Sequence, residues 1–274
     1  MEKRILGIAV ILLAAGGLAQ AQDSDLHGYV DVTWSGKYVW RGFDIYRDKS
    51  AIHPSVDLNL FGTGLGINVT GHRANSDGFE AGERWDYNLY YMNNLLDGNI
   101  QYRLGWVYYN FPDLSSGMAD LQEVHAIFSL PKICPFGTVP SYVLVKLWPS
   151  ESGSLVASKF DLSTVPPSAS SGTASGFAHI FMLDYAWTVG GILPDTPEQV
   201  LNLHAEAVFN DGVGPGGQNV DHDWSNAVFG LSTDFDLAQN VVLTPGIYHQ
   251  ITMDTSVNDD KDETWVSLGL RYQF

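Results

Sequence analysis

Two pairs of histidine and glutamate have the types and spacing for chemistry. Glu123 and His125 are two residues apart, and so are His204 and Glu206. Alternate residues of a β-strand share a face, so each pair offers an imidazole and a carboxylate that could chelate a metal ion. The pairs fall in segments predicted to lie three strands apart, so they need not meet. We therefore expect no metal site and no bound cofactor.

A search for an activated nucleophile gives one further candidate. The triplet Asp221-His222-Asp223 has the residue types of an acid–base catalyst. No recognised serine motif accompanies it, so an acidic loop explains the triplet and we expect no catalytic residue. The acidic run at residues 258–263 lacks the glycine of an EF-hand loop, and we expect it to recruit divalent cations only loosely.

The elements that must position these residues are strands. At the carboxyl end every second residue from Val266 to Phe274 is apolar, and the residues between are small or polar. This period of two predicts a strand with one apolar face. It resembles the closing strand of bacterial outer-membrane proteins, in which a terminal Phe after alternating apolar residues is the assembly signal. The resemblance assigns that role to Tyr272 and Phe274.

Twelve segments alternate in this way, and the connections between them are short after even-numbered segments and generally longer after odd ones. A transmembrane β-barrel has an even number of antiparallel strands with this alternation of connections, and both its termini lie in the periplasm. A soluble sandwich is disfavoured because the first segment alternates from Leu26 to Trp40, which is long for a sandwich strand. We predict an all-β fold, a single twelve-stranded antiparallel transmembrane barrel.

The amino terminus predicts export. Lys3-Arg4 precede the apolar residues 5–15, and Ala19-Gln20-Ala21 form a small-x-small cleavage site. We therefore expect a signal peptide over residues 1–21 and a barrel over residues 22–274, in the bacterial outer membrane. Outer-membrane lipid and the assembly machinery are then the expected partners. Nucleic acid is excluded by a net charge of −17. The single cysteine, Cys134, cannot form an internal disulfide.

The alternation also predicts which charged and imidazole side chains face the barrel interior. They could fill a lumen with ion pairs and water contacts, or form a constriction that selects solutes by size and charge. The candidate lumen residues are Asp31, Lys37, Arg41, Asp57, Asp86, Arg103, Glu123, His125, Asp184, His204, Glu206 and Arg271. Lys146 is placed with them, on a seventh strand that is otherwise apolar on both faces. The alternation places Tyr38 and Trp40 on the apolar face, at the outer membrane interface.

The first hairpin adds a family resemblance. Residues 33–42, Thr-Trp-Ser-Gly-Lys-Tyr-Val-Trp-Arg-Gly, and then residues 51–58 are similar to the start of the TorF-type porins. The resemblance covers about 25 residues. It implies an outer-membrane channel with Tyr38, Trp40, Arg41 and Gly42 as a structural signature, and a rim or lumen charge at Arg41. The long connection at residues 149–176 departs from the family pattern.

These patterns predict a porin-like channel for the passive diffusion of small hydrophilic solutes, and not an enzyme. Two alternatives stay open: an outer-membrane enzyme with an extracellular rim site, and a structural or adhesive barrel with a plugged lumen. The connection at residues 149–176 could fold inward and narrow the pore, or it could be a mobile external loop.

Overall fold

The computed structural model describes residues 26–114, 116–150, 160–161, 168–169, 175–191, 198–212 and 220–274. Twelve strands form the barrel: β1 (His27–Ser35), β2 (Ala51–Asn59), β3 (Leu65–Ala74), β4 (Arg84–Leu95), β5 (Ile100–Asn110), β6 (Leu121–Ser129), β7 (Thr138–Pro149), β8 (Gly176–Gly190), β9 (Glu198–Asp211), β10 (Asp221–Thr233), β11 (Val241–Thr252) and β12 (Glu263–Gln273). The predicted signal peptide, residues 1–21, lies outside the described residues.

The barrel closes by pairing its last strand with its first. Each strand pairs antiparallel with its neighbours in sequence, and β12 pairs with β1. Gly28 and Phe274 exchange two backbone hydrogen bonds, each 3.0 Å long. Closure satisfies the backbone groups of every strand, which an apolar membrane requires. The predicted twelve-stranded barrel is confirmed.

The outward face is apolar. Many of its large side chains are between 39% and 49% exposed, among them Leu89, Leu104, Phe128, Leu183, Phe229 and Leu270. In a barrel wall, apolar side chains with this exposure form the belt that contacts lipid. Among the described residues no helix is long and apolar enough to cross a membrane.

The seventh strand corrects one prediction. Val143, Val145 and Leu147 are buried inside the barrel, so Lys146 points outward and its ammonium lies 4.5 Å from the centre of the Phe177 ring. The sequence assigned Lys146 to the lumen because β7 is apolar on both faces and gives no local signal of register. At the strand end a lysine can extend its charge toward the interface.

The two ends of the barrel differ. We call the end with the short connections and Phe274 the turn end, and the other the loop end. The connections contain short elements: a helix at Ser116–Ala119, 3₁₀ turns at Glu80–Gly82, Leu96–Gly98, Pro135–Gly137 and Asn258–Asp260, and a strand at Phe235–Ala238. Within residues 149–176, Phe160–Asp161 pairs with Ser168–Ala169. Most of that connection, whose position was left open above, lies outside the described residues.

The first connection also corrects the sequence analysis. Strand β1 ends at Ser35, five residues earlier than the alternation predicts, and Val39–Trp40 pairs with Phe43–Asp44 in a small hairpin. At its tip Arg41 and Gly42 have positive φ angles of 49° and 92°. We call residues 36–50 the lumen loop, because the contacts described next place it inside the barrel.

Candidate functional site

Tyr38 anchors one side of the lumen loop to inward-facing side chains. Its ring stacks on the His72 imidazole, with the centroids 4.7 Å apart and the planes at 10°. Arg84 donates a 2.7 Å hydrogen bond to the Tyr38 hydroxyl. The alternation placed Tyr38 and Trp40 at the outer membrane interface. That placement is wrong, because a buried guanidinium and two imidazoles offer these rings stronger partners inside.

Beneath Tyr38 a hydrogen-bond chain crosses the first four strands. The Ser35 hydroxyl lies 2.8 Å from His53 Nε2, and His53 Nδ1 lies 2.9 Å from His72 Nδ1. His72 Nε2 then lies 3.0 Å from an Asp86 carboxylate oxygen. With both imidazoles neutral, the Ser35 hydroxyl donates to His53 Nε2 and His53 Nδ1 donates to His72 Nδ1. His72 Nε2 then donates to Asp86, so each of the three contacts has one proton.

This chain contains a serine bonded to a histidine, yet it has no access to a substrate. Ser35 is only 6% exposed, and Tyr38 packs against both histidines of the chain. Arg84 donates two hydrogen bonds to the Asp86 carboxylate, so the acidic end is also paired inside the wall. The arrangement can hold the lumen loop in place, and we assign it no catalytic role.

Arg84 of β4 and Tyr109 of β5 hold the small hairpin through Trp40. The Arg84 guanidinium lies 3.8 Å from the centre of the Trp40 ring. The Trp40 ring in turn makes an edge contact with Tyr109 of β5, at 5.2 Å between centroids. A guanidinium over an indole is the strongest of the common cation–π pairs, and here the guanidinium is buried and the indole is partly buried.

Arg41 makes the most buried ion pair of the loop. Its guanidinium donates to the Glu123 carboxylate, which is 3% exposed. Glu123 also accepts a 2.7 Å hydrogen bond from the Tyr109 hydroxyl and lies 3.2 Å from His125 Nδ1. Burial opposes the charge of Arg41, but the attraction of Glu123 outweighs it and raises the pKa of Arg41. Glu123 and His125 are therefore occupied by the loop and by each other.

The far side of the loop reaches β11 and β12. The Gly42 carbonyl accepts a 2.8 Å hydrogen bond from Gln250 Nε2, and the Asp44 amide donates to Asn258 at 2.9 Å. Lys37 donates to Asp48 and, at 2.5 Å, to Glu263. Burial disfavours the charge of Lys37, yet these two hydrogen bonds raise its pKa to about 12.

Gly42 is required where the loop meets β10. A Cβ atom there would lie 2.5 Å from the Asn226 amide oxygen, and its φ is one that other residues rarely adopt. The loop therefore contacts β2 to β6 as well as β10 to β12. On the side of β7 to β9 the interior holds an apolar cluster that includes Val143, Val145, Leu147, Ala178 and Val208, and Trp40 packs against this cluster. The loop-end half of the barrel is thus largely packed.

The turn-end half is lined by charged pairs with access to water. Arg271 lies over the Tyr29 ring at 4.6 Å, is 3.8 Å from Asp31, and leaves 45% of its side chain exposed. Arg103 lies 3.7 Å from the centre of the Tyr90 ring. The Tyr90 hydroxyl donates to Asp57 at 2.7 Å.

On the opposite wall His204 bonds to Asp184 at 2.7 Å and lies 3.9 Å from Glu206. The two histidine–glutamate pairs of the sequence therefore stay apart, since each histidine is engaged locally.

Among the described residues one acidic group could surround a cation, namely Asp44, Asp48 and Glu263. The Lys37 ammonium already lies against two of these carboxylates and would compete with a metal ion for them. His222 of the acidic triplet is 73% exposed and lies 3.4 Å from Asp211.

Comparisons with known proteins address the fold. No protein-family model and no curated protein sequence matches the chain. A KdgM porin structure matches with a TM-score of 0.52 at 8% identity, covering 90% of this chain and 99% of that one. A KdgM porin in complex with disordered oligogalacturonate gives 0.50 at 8% identity, with coverages of 90% and 99%. The COG4313 outer membrane channel from Pseudomonas putida F1 gives 0.51 at 10% identity, with coverages of 90% and 96%.

These likenesses establish that the chain has the fold of an outer-membrane β-barrel. At such low identity they carry no residue-level function, and membership of the TorF-type porins stays a prediction. Sequence reasoning assigned the interior faces of most strands but missed the lumen loop. One sequence signal could have indicated the loop. Arg41 and Gly42 follow Tyr38 and Trp40 and form a charged turn, which a lipid-facing strand end does not require.

Proposed function

We propose that this protein is an outer-membrane channel for the passive diffusion of small hydrophilic solutes, with the lumen loop setting the width at the loop end. The observation that carries the proposal is the exposed charge inside the turn-end half. Asp184 and Arg271 leave 49% and 45% of their side chains exposed within the barrel. An ionised group in an enclosed apolar space is very costly, so these side chains require water beside them.

The lumen loop supports a limit on solute size. It contacts strands on both sides of the barrel and is held there by ion pairs, stacked rings and hydrogen bonds rather than by one contact. Lys37 and Asp48 of the loop leave 23% and 73% of their side chains exposed, so a solute that passes the loop meets charged groups of both signs. Such a constriction favours small polar solutes over large or apolar ones.

The outer surface supports the outer membrane as the location. The apolar belt matches lipid, and the stacked rings of Tyr272 and Phe274, 6.4 Å apart, end the closing strand. We propose outer-membrane lipid and the barrel-assembly machinery as partners, with Tyr272 and Phe274 as the assembly signal. Exchanging Phe274 for Ser should lower the amount of assembled barrel in cells, whereas Gln273→Ser serves as the matched control.

A second candidate is a barrel whose lumen is plugged. The packing of Trp40 of the lumen loop against the apolar cluster that includes Val143, Val145 and Leu147 favours it. Single-channel recording separates the two functions. Wild-type protein should conduct, and a variant with residues 38–48 replaced by a glycine–serine linker of equal length should conduct more.

The other outcomes of this recording are also informative. A silent wild type with a conducting linker variant would overturn passive diffusion and establish the plugged barrel. If both were silent after correct folding, no channel function would remain.

A further inference from the structure

Five inward-facing positions form one continuous row across five strands. The register pairs Asp184 with His204, His204 with Gly230, Gly230 with Tyr248, and Tyr248 with Trp265. The row therefore runs from a carboxylate through an imidazole to two aromatic rings. Neither the ion pairs that hold the lumen loop nor the belt that faces lipid uses it.

Tyr248 lies flat along the barrel wall because two glycines leave room for its ring. A Cβ atom at Gly230 would lie 2.7 Å from one ring carbon, and a Cβ at Gly246 would lie 2.9 Å from another. The Trp265 ring is nearly parallel to Tyr248, at 15° and 5.4 Å between centroids. The two rings form an aromatic surface on the inner wall.

A second lumen tyrosine, Tyr90, also lies on a glycine, but its ring is covered. Tyr90 lies on Gly66 in the same way, with a Cβ there 2.1 Å from the ring, but the Arg103 guanidinium stacks on it at 3.7 Å. Within the described part of the chain no cation stacks on Tyr248. Tyr248 stacks beside Trp265 instead, and its ring also lines the cavity described next, whereas the ring of Tyr90 is covered by a guanidinium.

The aromatic surface adjoins a cavity of about 460 Å³ whose walls include Asp184, Asn202, His204, Ser232 and Tyr248. The Asn202 amide and the hydroxyls of Ser232 and Tyr248 have no hydrogen-bond partner among the residues that the structure describes. Asp184 uses one carboxylate oxygen on His204. The cavity thus combines an apolar ring face with one amide and two hydroxyl groups that are free to form hydrogen bonds. This mixture orients a small polar ligand.

We propose that this cavity and the two rings, the aromatic site, bind a hydroxylated six-membered ring, that is, a sugar residue. The C–H face of such a ring packs on an aromatic face, while its hydroxyls reach the amide, hydroxyl and carboxylate groups. Asp184 and Glu206 carry two negative charges against at most one positive charge on His204. The site therefore prefers a neutral or amino sugar to one that carries a carboxylate. This inference rests on the proposed function, because the sugar must enter the lumen.

Equilibrium binding tests the site without requiring conductance. Refolded full-length protein in lauryldimethylamine oxide, which presents no sugar, is titrated with glucosamine, glucose and glucuronate by saturation-transfer NMR. Because the site is negatively charged, we expect the cationic glucosamine to bind more tightly than glucose, and glucuronate to bind most weakly. Tyr248→Leu should weaken glucose binding by about tenfold, the size of one lost aromatic contact. Asp184→Asn should remove the preference for glucosamine over glucose.

Tyr90→Leu is the matched control, because it removes a lumen tyrosine that also rests on a glycine but is covered by Arg103. Heat-shifted gel mobility confirms that each variant is folded. Equal effects of Tyr248→Leu and Tyr90→Leu, tightest binding of glucuronate, or no binding of any sugar to folded wild type would each overturn the proposal. A protein that conducts but binds no sugar would refute only the sugar-binding site. A protein that binds sugar but does not conduct would refute only the channel function.

Discussion

Arg41→Ala tests how the lumen loop is held. Glu123 is 3% exposed, and after the substitution its carboxylate keeps only the Tyr109 hydroxyl and His125. Removing one partner of a buried ion pair costs about 3–5 kcal/mol, because the other charge is left uncompensated. Since Arg41 lies at the tip of the loop and outside the strand ladder, this cost falls on docking of the loop.

That cost corresponds to an increase of about 10² to 10⁴ in the opening equilibrium of the loop. Hydrogen exchange followed by mass spectrometry measures it on peptides covering residues 36–50, with refolded protein at one pH. Peptides from β1 and β2 should exchange as in the wild type. The double variant Arg41→Ala with Glu123→Gln should recover part of the protection from exchange, because it leaves no unpaired buried carboxylate.

Arg271→Ala is the matched control. This arginine also faces the lumen, but its described partners are Tyr29 and Asp31, at the other end of the barrel. It should leave exchange in residues 36–50 unchanged. Wild-type protection of the loop in Arg41→Ala would refute the reasoning, and equal loosening by Arg271→Ala would show that lumen charge in general, and not this ion pair, holds the loop.

Three further predictions test the barrel and the loop. Leu268→Arg should lower refolding yield far more than Ser267→Arg, because Leu268 is 44% exposed on the lipid face and an arginine at mid-membrane costs about 2–4 kcal/mol. Equal yields would contradict the assignment of inner and outer faces on β12. Refolded protein should migrate differently on a gel before and after boiling, since closed barrels stay compact in mild detergent; unshifted mobility together with solubility in plain buffer would contradict the fold. The contribution of Lys37 to loop docking should be complete below its usual pKa of 10.5 and be lost as the pH rises through about 12, because its folded-state pKa is raised. Single-channel conductance should therefore increase across that interval in the wild type but not in Lys37→Met, and an identical alkaline increase in both would remove Lys37 from the loop contacts.

The sequence determined the architecture because strand alternation is a local property. A side chain two residues along a strand returns to the same face, so the apolar positions of β12, from Val266 to Leu270, identify the lipid side without any knowledge of neighbours. Twelve such segments with alternating short and long connections then imply closure. The placement of Asp184, His204 and Glu206 on inner faces follows from the same rule.

Only the tertiary structure decided three other features. Lys146 faces outward because β7, apolar on both faces, takes its register from β6 and β8. Residues 36–50 turn inward because Arg84, His72 and Glu123, distant in sequence, together provide charges and rings for Tyr38, Trp40 and Arg41. The aromatic site depends on the register of five strands, which brings Asp184 and Trp265 into one row. Each feature depends on which strands become neighbours, and a period of two carries no information about neighbours.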